Sequence, residues 1–295
     1  MKAIVYYISL PFIYIIALLP YRLLYLVSDI VFILLFYVFR YRREVVFNNL
    51  RNSFPGKNSD ELKKTEKDFF RYLSDLIFET FKNLTISKSD ALKRCRTVNM
   101  DLVEQFTSKG RSVVIVLGHY GNWELAGNAY SLSAKHQLHV IYRKLANPYF
   151  DRLMFYIRSR LGTKLIEAQS TYPSMLNLRG QITATGFIAD QTPHPENAYW
   201  TTFLHQETPV FWGTEVIARK LNYPVIYAHV DRIKRGYYEL SFELLTAEPS
   251  KSNEGDITSL HTKRLEADII KKPEIWLWSH RRWKHKRPQN QPLRD

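Results

Sequence analysis

Residues 113–124 read VVIVLGHYGNWE, and this stretch decides the fold. Its first five residues are apolar and four of them are β-branched, which is typical of a fully buried strand. The glycines that follow mark a turn, and a helix is predicted from about Trp123 through Tyr130. A strand, a turn and a helix in this order indicate an α/β protein, in which the residues just beyond the carboxyl end of a strand form ligand sites.

The alternation of predicted strands and helices continues on both sides of this stretch. Further strands are predicted at 138–142, 185–189, 224–230 and 237–245, and helices at 59–84, 148–161, 214–221 and 256–271. The predicted fold class is therefore α/β, with a mixed, largely buried sheet flanked by helices.

The N-terminus is strongly apolar. Residues 3–19 contain no charged residue, and a second apolar run, residues 23–39, is broken only by Ser28 and Asp29. No small-residue cleavage site of a signal peptide follows, so residues 1–39 are predicted to be a membrane anchor, either one span or a hairpin that dips into one leaflet. A buried helical hairpin is the alternative. The arginines of residues 40–43 indicate the cytoplasmic surface, beside a water-facing domain of residues 40–295.

Composition limits which cofactors and partners the chain is expected to bind. The 295-residue chain has a formal net charge of +14 and a single cysteine, Cys95, which excludes a disulfide framework or a multi-cysteine metal site. No zinc-protease motif or glycine-rich nucleotide loop occurs, so neither a metal nor a cofactor is predicted. The charge indicates an acidic partner. The basic residues 279–287 accompany no nucleic-acid-binding motif, and anionic lipid is favoured over nucleic acid. Three tryptophans near them, Trp276, Trp278 and Trp283, suit either a membrane interface or the core.

Two residues of the opening stretch can carry chemistry together. His119 follows the strand, and Glu124 falls in the first turn of the predicted helix. From there the Glu124 carboxylate can accept a hydrogen bond from His119 Nδ1, which leaves Nε2 free as a general base. The alternative is a polar loop histidine and an acidic residue that stabilises a helix N-terminus. No Gly-x-Ser-x-Gly nucleophile motif occurs, so a covalent acyl-enzyme is not expected.

The sequence around this pair resembles the His-x4-Asp/Glu block of the lysophospholipid acyltransferase superfamily, in particular its lipid A biosynthesis (lauroyl/myristoyl) branch. Other blocks resemble that family in the same order along nearly the whole chain. They are Tyr41-Arg42-Arg43 with Asn48-Asn49-Leu50-Arg51, Tyr142-Arg143 with Asn147-Pro148 and Asp151-Arg152, Asp190-Gln191 with Thr208-Pro209, and Trp278-Ser279-His280-Arg281-Arg282-Trp283.

The resemblance implies a membrane-bound acyltransferase at the inner membrane, with its catalytic domain on the cytoplasmic side. It implies acyl carrier protein as donor, a lipid A precursor as acceptor, and His119 as base with Glu124 as its partner. Other acceptors stay open, namely a lysophospholipid, an aminolipid or another glycolipid, and so does a non-catalytic lipid-binding protein. Oligomeric state and acyl chain length are not readable from the sequence.

The same blocks supply further candidate residues for substrate binding. The backbone N–H groups of Gly121 and Asn122 are candidate donors to a reaction oxyanion. Arg143 is expected to grip an anionic group, and Arg152 either does the same or pairs with a surface acid. The remaining candidates taken from the family blocks are Asn147, Asp190 and Gln191. Asp190 is expected to hold Arg143 or to shape the donor pocket, and a simple role in a turn is the alternative.

Overall fold

A seven-stranded sheet forms the centre of the protein in a computed structural model that describes residues 2–294. The strands lie in the order β1-β9-β8-β2-β5-β3-β4, and each neighbouring pair is parallel except β8 with β9. Their bounds are β1 Cys95–Thr97, β2 Val113–Leu117, β3 Gln137–Tyr142, β4 Lys164–Glu167, β5 Thr183–Ile188, β8 Val225–Lys234 and β9 Tyr237–Thr246. The strands β6 Tyr199–Phe203 and β7 Gln206–Val210 form a separate antiparallel hairpin.

The central strand explains why its sequence is apolar without alternation. Four of the five β2 residues, Val113 to Val116, are buried, because helices and loops cover both faces of the sheet. The predicted α/β class is confirmed, and the strands predicted from the sequence are present with ends moved by a few residues. The strand segments that were not predicted are the two short edge strands, β1 and β4, and the β6–β7 hairpin, which packs beside the C-terminal segment.

Eleven α-helices occur among residues 2–294. Their bounds are α1 Lys2–Leu18, α2 Tyr21–Ile33, α3 Arg43–Ser53, α4 Ser59–Lys82, α5 Lys88–Arg94, α6 Asp101–Thr107, α7 Trp123–Ser133, α8 Pro148–Ser159, α9 Thr171–Asn177, α10 Gly213–Leu221 and α11 Asp256–Lys271. The long helix α4 begins with a reciprocal cap, in which the Asn58 side chain accepts from the Glu61 N–H and the Glu61 carboxylate accepts from the Asn58 N–H. Such a cap fixes the start of the helix on which the N-terminal segment packs.

The apolar N-terminus forms two helices. After α1 and the Leu19–Pro20 turn, α2 continues as a π-helical turn at Leu34–Val38, and both helices contact α4. The stretch Tyr21–Val38 is long and apolar enough to cross a membrane, as judged from its length and composition. The N-terminal segment therefore contains a candidate membrane anchor, as predicted.

Candidate active site

The order of the strands brings three sequence blocks to one edge of the sheet. The strands β2, β5 and β3 are parallel neighbours, and they end at Leu117, Ile188 and Tyr142. Just beyond these ends come His119, Asp190 and Arg143. Because the carboxyl ends of parallel strands meet at the same edge, these residues share the crevice in which α/β proteins bind ligands.

His119 is held by Asp190 through two contacts. Its ring Nδ1 lies 2.6 Å from Asp190 Oδ1, and its backbone N–H donates to Asp190 Oδ2 over 2.8 Å. The indole N–H of Trp276 donates to the same Oδ2 over 2.8 Å. The side chain of Asp190 is only 5% exposed, whereas that of His119 is 15% exposed and faces a small pocket. A buried carboxylate thus fixes both the backbone and the ring of an accessible histidine.

The electrostatics of Asp190 favour its ionised form. Burial acts to raise the pKa of this carboxyl, but the charge of His119 and the hydrogen bonds from His119 and Trp276 outweigh burial and lower the pKa to about 2. Asp190 therefore carries a negative charge at neutral pH. This charge stabilises a proton on the His119 ring at the moment the ring takes one up.

Gln191 completes the arrangement around the imidazole. Its amide nitrogen lies 3.3 Å from His119 Nε2, and it is the residue next to Asp190. With Nδ1 protonated and donating to Asp190, Nε2 has a free lone pair that accepts from the Gln191 amide. His119, Asp190 and Gln191 line the small pocket together with Trp276, Leu277 and His280. The tautomer that the contacts favour is the one a general base needs.

Glu124 does not make the hydrogen bond that its spacing predicted. Its carboxylate lies instead against the guanidinium of Arg158 on α8, with Nε 3.0 and 3.1 Å and Nη2 2.6 Å from its oxygens. Glu124 is in the first turn of α7, where its side chain points toward α8 rather than back toward the loop. The Nδ1 partner of His119 is Asp190, which lies 71 residues away in the sequence.

The backbone of the turn between His119 and α7 is tightly constrained. Gly121 adopts a positive φ of 60°, and a Cβ there would collide with the carbonyl oxygen of Val230. Its N–H donates to the carbonyl of Ile275 over 3.0 Å. This N–H is therefore already used and is not free to bind an oxyanion, contrary to the expectation from the sequence.

The side chain of Asn122 has a structural role in the same turn. Its oxygen caps α7 by accepting the N–H of Leu125, and its amide donates to the buried carboxylate of Glu79 over 2.7 Å. The hydroxyl of Tyr72 donates to the carbonyl of Gly121 over 2.6 Å. Two residues of α4, Glu79 and Tyr72, thus hold the turn that carries His119.

The C-terminal segment supports the site from another direction. The N–H of Leu277 donates to the carbonyl of His119, and Trp276 holds Asp190. The Asn49 amide in turn donates to the carbonyls of Trp278 and His280. The N-terminal and C-terminal blocks recognised in the sequence therefore meet behind the histidine. Trp276 and Trp278 are buried in the core, which decides between the two alternatives left open for them.

Arg282 is a residue of the site that the sequence did not reveal. It belongs to the basic stretch assigned to lipid head groups, yet it is 2% exposed and lines a small cavity together with Asp190 and His261. Its Nε and Nη1 have no hydrogen-bond partner among the described residues. Burial lowers its pKa to about 10, and the charge of Asp190 opposes this effect. The burial of an arginine within a run of surface-like basic residues leaves no sequence signal.

The remaining candidates lie beyond β3. Arg143 and Arg152 are exposed. Asp190, which was expected to hold Arg143, is engaged with His119 instead. Asn147 caps α8 by accepting the N–H of Tyr149, and its amide donates to the carbonyl of Lys2 in α1.

Two further observations concern the chemistry of the site. Within residues 2–294, no group of three or more His, Cys, Asp or Glu side chains is arranged to hold a metal ion. Cys95 is buried, and burial raises the pKa of its thiol to about 12, so it is a packed residue without nucleophilic character.

Comparisons with known proteins identify the family of the chain. Residues 1–285 match the family described as bacterial lipid A biosynthesis acyltransferase. The chain is 23% identical over 249 residues to the lipid A biosynthesis palmitoleoyltransferase of Escherichia coli (strain K12), with 82% of this chain and 79% of that protein covered. The lipid A biosynthesis acyltransferase of Shigella flexneri shows the same identity and coverage. The chain belongs to the bacterial lipid A biosynthesis acyltransferases and is an acyltransferase.

Proposed function

We propose that this acyltransferase moves a fatty acyl group from an acyl carrier protein thioester to a hydroxyl of a lipid A precursor, as a late acylation step. The observation that carries the chemistry is the contact of 2.6 Å between His119 Nδ1 and Asp190 Oδ1, since it leaves Nε2 of a partly exposed histidine as a base. The family supplies the class of acceptor.

The transfer needs one base and no acyl-enzyme. His119 Nε2 takes the proton of the acceptor hydroxyl while that oxygen attacks the thioester carbonyl. The tetrahedral oxyanion then collapses, the carbon–sulfur bond breaks, and the carrier thiolate takes the proton back from Nε2. An ester and a free thiol are the products, so protons and electrons balance without another reactant.

Asp190 is assigned the role of positioning and charge stabilisation. It holds the imidazole in the Nδ1-protonated tautomer and stabilises the imidazolium that forms during attack. Gln191 is the candidate donor to the oxyanion, because its amide already lies at Nε2 and no helix or strand restrains it. Glu124 remains a candidate catalytic residue by its family block, and in this geometry it acts through Arg158.

Charge explains how both substrates are attracted. Carrier proteins and lipid A precursors are acidic, and the chain carries a formal net charge of +14. Arg143 is exposed just beyond the end of β3, at the edge of the sheet where His119 follows β2, and Arg152 is exposed on α8. Either guanidinium suits a phosphate of the acceptor or of the carrier's prosthetic arm.

The location proposed is the inner membrane, with the catalytic domain of residues 40–295 on the cytoplasmic side and residues 1–39 as the anchor. The arginines at 40, 42 and 43 follow the apolar segment directly, and a positive flank of this kind faces the cytoplasm.

The deciding experiment uses the purified full-length chain in detergent with acyl carrier protein loaded with a defined acyl chain. A lipid A precursor, a lysophospholipid and an aminolipid are offered in parallel, and products are identified by mass spectrometry. The expected result is one added acyl group on the lipid A precursor. If only the lysophospholipid or the aminolipid is acylated, the proposed acceptor is wrong, whereas the proposed reaction, acyl transfer, still holds.

The role of His119 is tested in the same assay. Replacement of His119 by Ala is expected to lower the rate by about 10²–10⁴-fold, the usual cost of removing a general base. His194→Ala, at an exposed position outside the site, is the control and should leave the rate unchanged. A loss of only a few-fold in His119→Ala would contradict the mechanism.

A further inference from the structure

Helix α2 carries a polar stripe on the side that faces the catalytic domain. The Ser28 hydroxyl donates to Asp75 over 2.7 Å, and the Tyr25 hydroxyl donates to Glu79 over 2.8 Å. Asp29 pairs with Arg235 over 2.6 Å. These positions are spaced by three or four residues and so lie on one face of the helix. An otherwise apolar helix is thus joined to the domain by charged partners near its middle.

The same helix runs alongside α4 over its whole length. At its start, the Lys82 ammonium donates to the carbonyls of Ala17 and Leu19 over 2.8 Å each. Near its end, the Phe36 ring packs on Phe70 at a centroid distance of 5.5 Å. From residue 17 to residue 36 the contacted residues of α4 run in the opposite direction, from Lys82 to Phe70, so the two segments are antiparallel. Both ends of the apolar stretch are therefore fastened to one helix of the water-facing domain.

This geometry is incompatible with a helix that crosses a bilayer on its own. If α2 crossed, its middle would lie at the centre of the hydrocarbon layer together with Asp29, Asp75 and Arg235. The Asp29 side chain is 52% exposed and that of Arg235 is 37% exposed, so both would face lipid. Charged side chains at the bilayer centre are strongly disfavoured. Helix α4 would also have to enter the membrane with Arg71, whose side chain is 53% exposed.

The opposite face of the two N-terminal helices is exposed and apolar. More than half of the large apolar side chains that are exposed among residues 2–294 lie in the first 41 residues. They include Ile4, Ile8, Phe12 and Ile15 on α1, and Leu23, Leu26, Ile30 and Ile33 on α2. A contiguous apolar surface of this extent marks an interaction site rather than ordinary solvent-exposed surface.

Basic residues border this surface at both ends of α2. Arg22 lies at its start, and Arg40 follows its π-helical turn; both are exposed. A helix surface with an apolar face and a cationic border fits the interface of an anionic membrane, where the apolar side chains enter the acyl region and the arginines meet the head groups.

We propose that α1 and α2 lie in the plane of the membrane as a hairpin embedded in one leaflet, with neither helix crossing it. The occupant of the apolar surface is an anionic lipid leaflet. The catalytic domain then lies against the same leaflet, on the side of α2 that carries the polar stripe.

The arrangement has a consequence for the site. Glu79, which accepts from Tyr25 of α2, also accepts from the Asn122 amide over 2.7 Å. A single carboxylate of α4 thus joins the embedded helix to the turn that carries His119. The active site lies one helix away from the membrane surface, within reach of a lipid acceptor that stays in the leaflet.

The test determines on which side of the membrane the turn between α1 and α2 lies. Pro20→Cys lies in that turn and Tyr41→Cys lies just beyond α2, while wild-type protein, whose only cysteine is buried, is the unlabelled background. Right-side-out and inverted membrane vesicles are treated with a membrane-impermeant maleimide. An in-plane hairpin labels both cysteines in the same vesicle orientation, which is also the one that labels Lys109→Cys of the catalytic domain.

Labelling of Pro20→Cys only in the opposite orientation would overturn the proposal, because it shows that α2 crosses. Failure of Pro20→Cys to label in either orientation until detergent is added would also overturn it, since the turn would then lie inside the bilayer. Leu19→Cys is made in parallel, in case the loss of Pro20 impairs folding. Neither result depends on acyl transfer, so the location and the proposed reaction are tested separately.

The occupant is tested by binding to vesicles of phosphatidylethanolamine with phosphatidylglycerol. Leu26→Ser combined with Ile30→Ser is expected to weaken binding about tenfold or more, because two large apolar side chains no longer enter the leaflet. Ile270→Ser, an equally exposed apolar position on α11, is the control and should bind as wild type. Equal binding by all three proteins would contradict the assignment of this surface.

Discussion

Asp190 binds His119 at two points, with Oδ1 at 2.6 Å from the ring Nδ1 and Oδ2 at 2.8 Å from the backbone nitrogen. One buried side chain therefore sets the ring orientation, the tautomer and the position of the loop together. This relationship differs from that of a simple ion pair, because the backbone contact keeps the carboxylate in place while the ring gains and loses a proton.

The first prediction concerns Asp190→Asn. An amide in this position can donate to Nδ1 and thereby favour the wrong tautomer, so kcat is expected to fall by about 10²–10⁴-fold, as in related carboxylate–histidine pairs. The KM for the lipid acceptor should change little, because Asp190 is buried behind the ring. Steady-state kinetics with varied acceptor measure both quantities. Asp60→Asn, at an exposed position, is the control. A change confined to KM would indicate a substrate-binding role.

A second prediction follows from the pKa of Asp190, which is lowered from its ordinary value near 3.8 to about 2. A carboxyl with a depressed folded-state pKa stabilises the fold above its unfolded pKa, and this stability is lost as pH falls toward the folded pKa. The window is therefore about pH 4 to 2, and the contribution is roughly 2 kcal/mol.

The measurement is the free energy of unfolding of wild type and Asp190→Asn in detergent, between pH 5 and pH 2. The difference between the two proteins should shrink as the pH falls through this window. Curves that remain parallel down to pH 2 would show that Asp190 is not ionised more readily in the folded protein than in the unfolded chain.

The third prediction separates two roles of Glu124. Its side chain is 10% exposed and that of Arg158 is 28% exposed, so the loss of either partner leaves a largely buried charge. Glu124→Gln and Arg158→Met are each expected to destabilise the protein by roughly 2–4 kcal/mol, with a double variant less affected than the sum. Thermal unfolding of the wild type, the two single variants and the double variant provides a double-mutant cycle.

Kinetics of the same variants decide whether Glu124 does more than pair with Arg158. If it acts through Arg158, the two single variants should lose similar activity. A much larger loss of kcat in Glu124→Gln than in Arg158→Met would return Glu124 to a direct role in the chemistry. Glu124 would then have a catalytic role that its contact with Arg158 does not explain.

The sequence predicted the strand and the turn that carry His119, but it did not predict that Asp190 is the hydrogen-bond partner of this histidine. A buried parallel strand is recognisable in a sequence as a run of apolar residues, and β2 is such a run. Which strand lies beside β2 is a property of the whole sheet, and β5, which delivers Asp190, begins 66 residues after the end of β2. Glu124 was favoured because of its spacing from His119 and its match to the family block, but its side chain contacts Arg158 on α8.

The basic C-terminal stretch illustrates a second limit. Arg281 and Arg282 are adjacent and chemically identical, yet the first is exposed and the second is buried beside Asp190. A sequence pattern can identify an amphipathic face in a helix or strand, but residues 277–287 form neither, so no periodicity separates the two arginines. The difference between the two arginines is a property of how this segment packs, and Trp276 and Trp278 of the same segment are also buried.

The fourth prediction uses the strained glycine of the turn. Gly121→Ala forces a Cβ against the carbonyl of Val230, whereas Gly110, which has a similar φ of 64°, has open space around it. Both alanines carry the strain of a left-handed backbone, about 1 kcal/mol, and only the first also carries the collision. Thermal unfolding should show Gly121→Ala as the far less stable variant. Equal stability of the two would mean that the turn can move away from β8.

The last prediction concerns the charge of Arg282. A positive group beside Asp190 opposes the uptake of a second positive charge by the neighbouring imidazole, so its removal should let the base hold a proton up to a higher pH. Arg282→Met is therefore expected to move the acid limb of the pH dependence of kcat/KM upward by about half a unit or more, whereas Arg282→Lys keeps the charge and should not move it. Arg281→Met, at the exposed neighbour, is the matched control. An unchanged acid limb in Arg282→Met, with the fold intact, would show that this guanidinium acts only in packing.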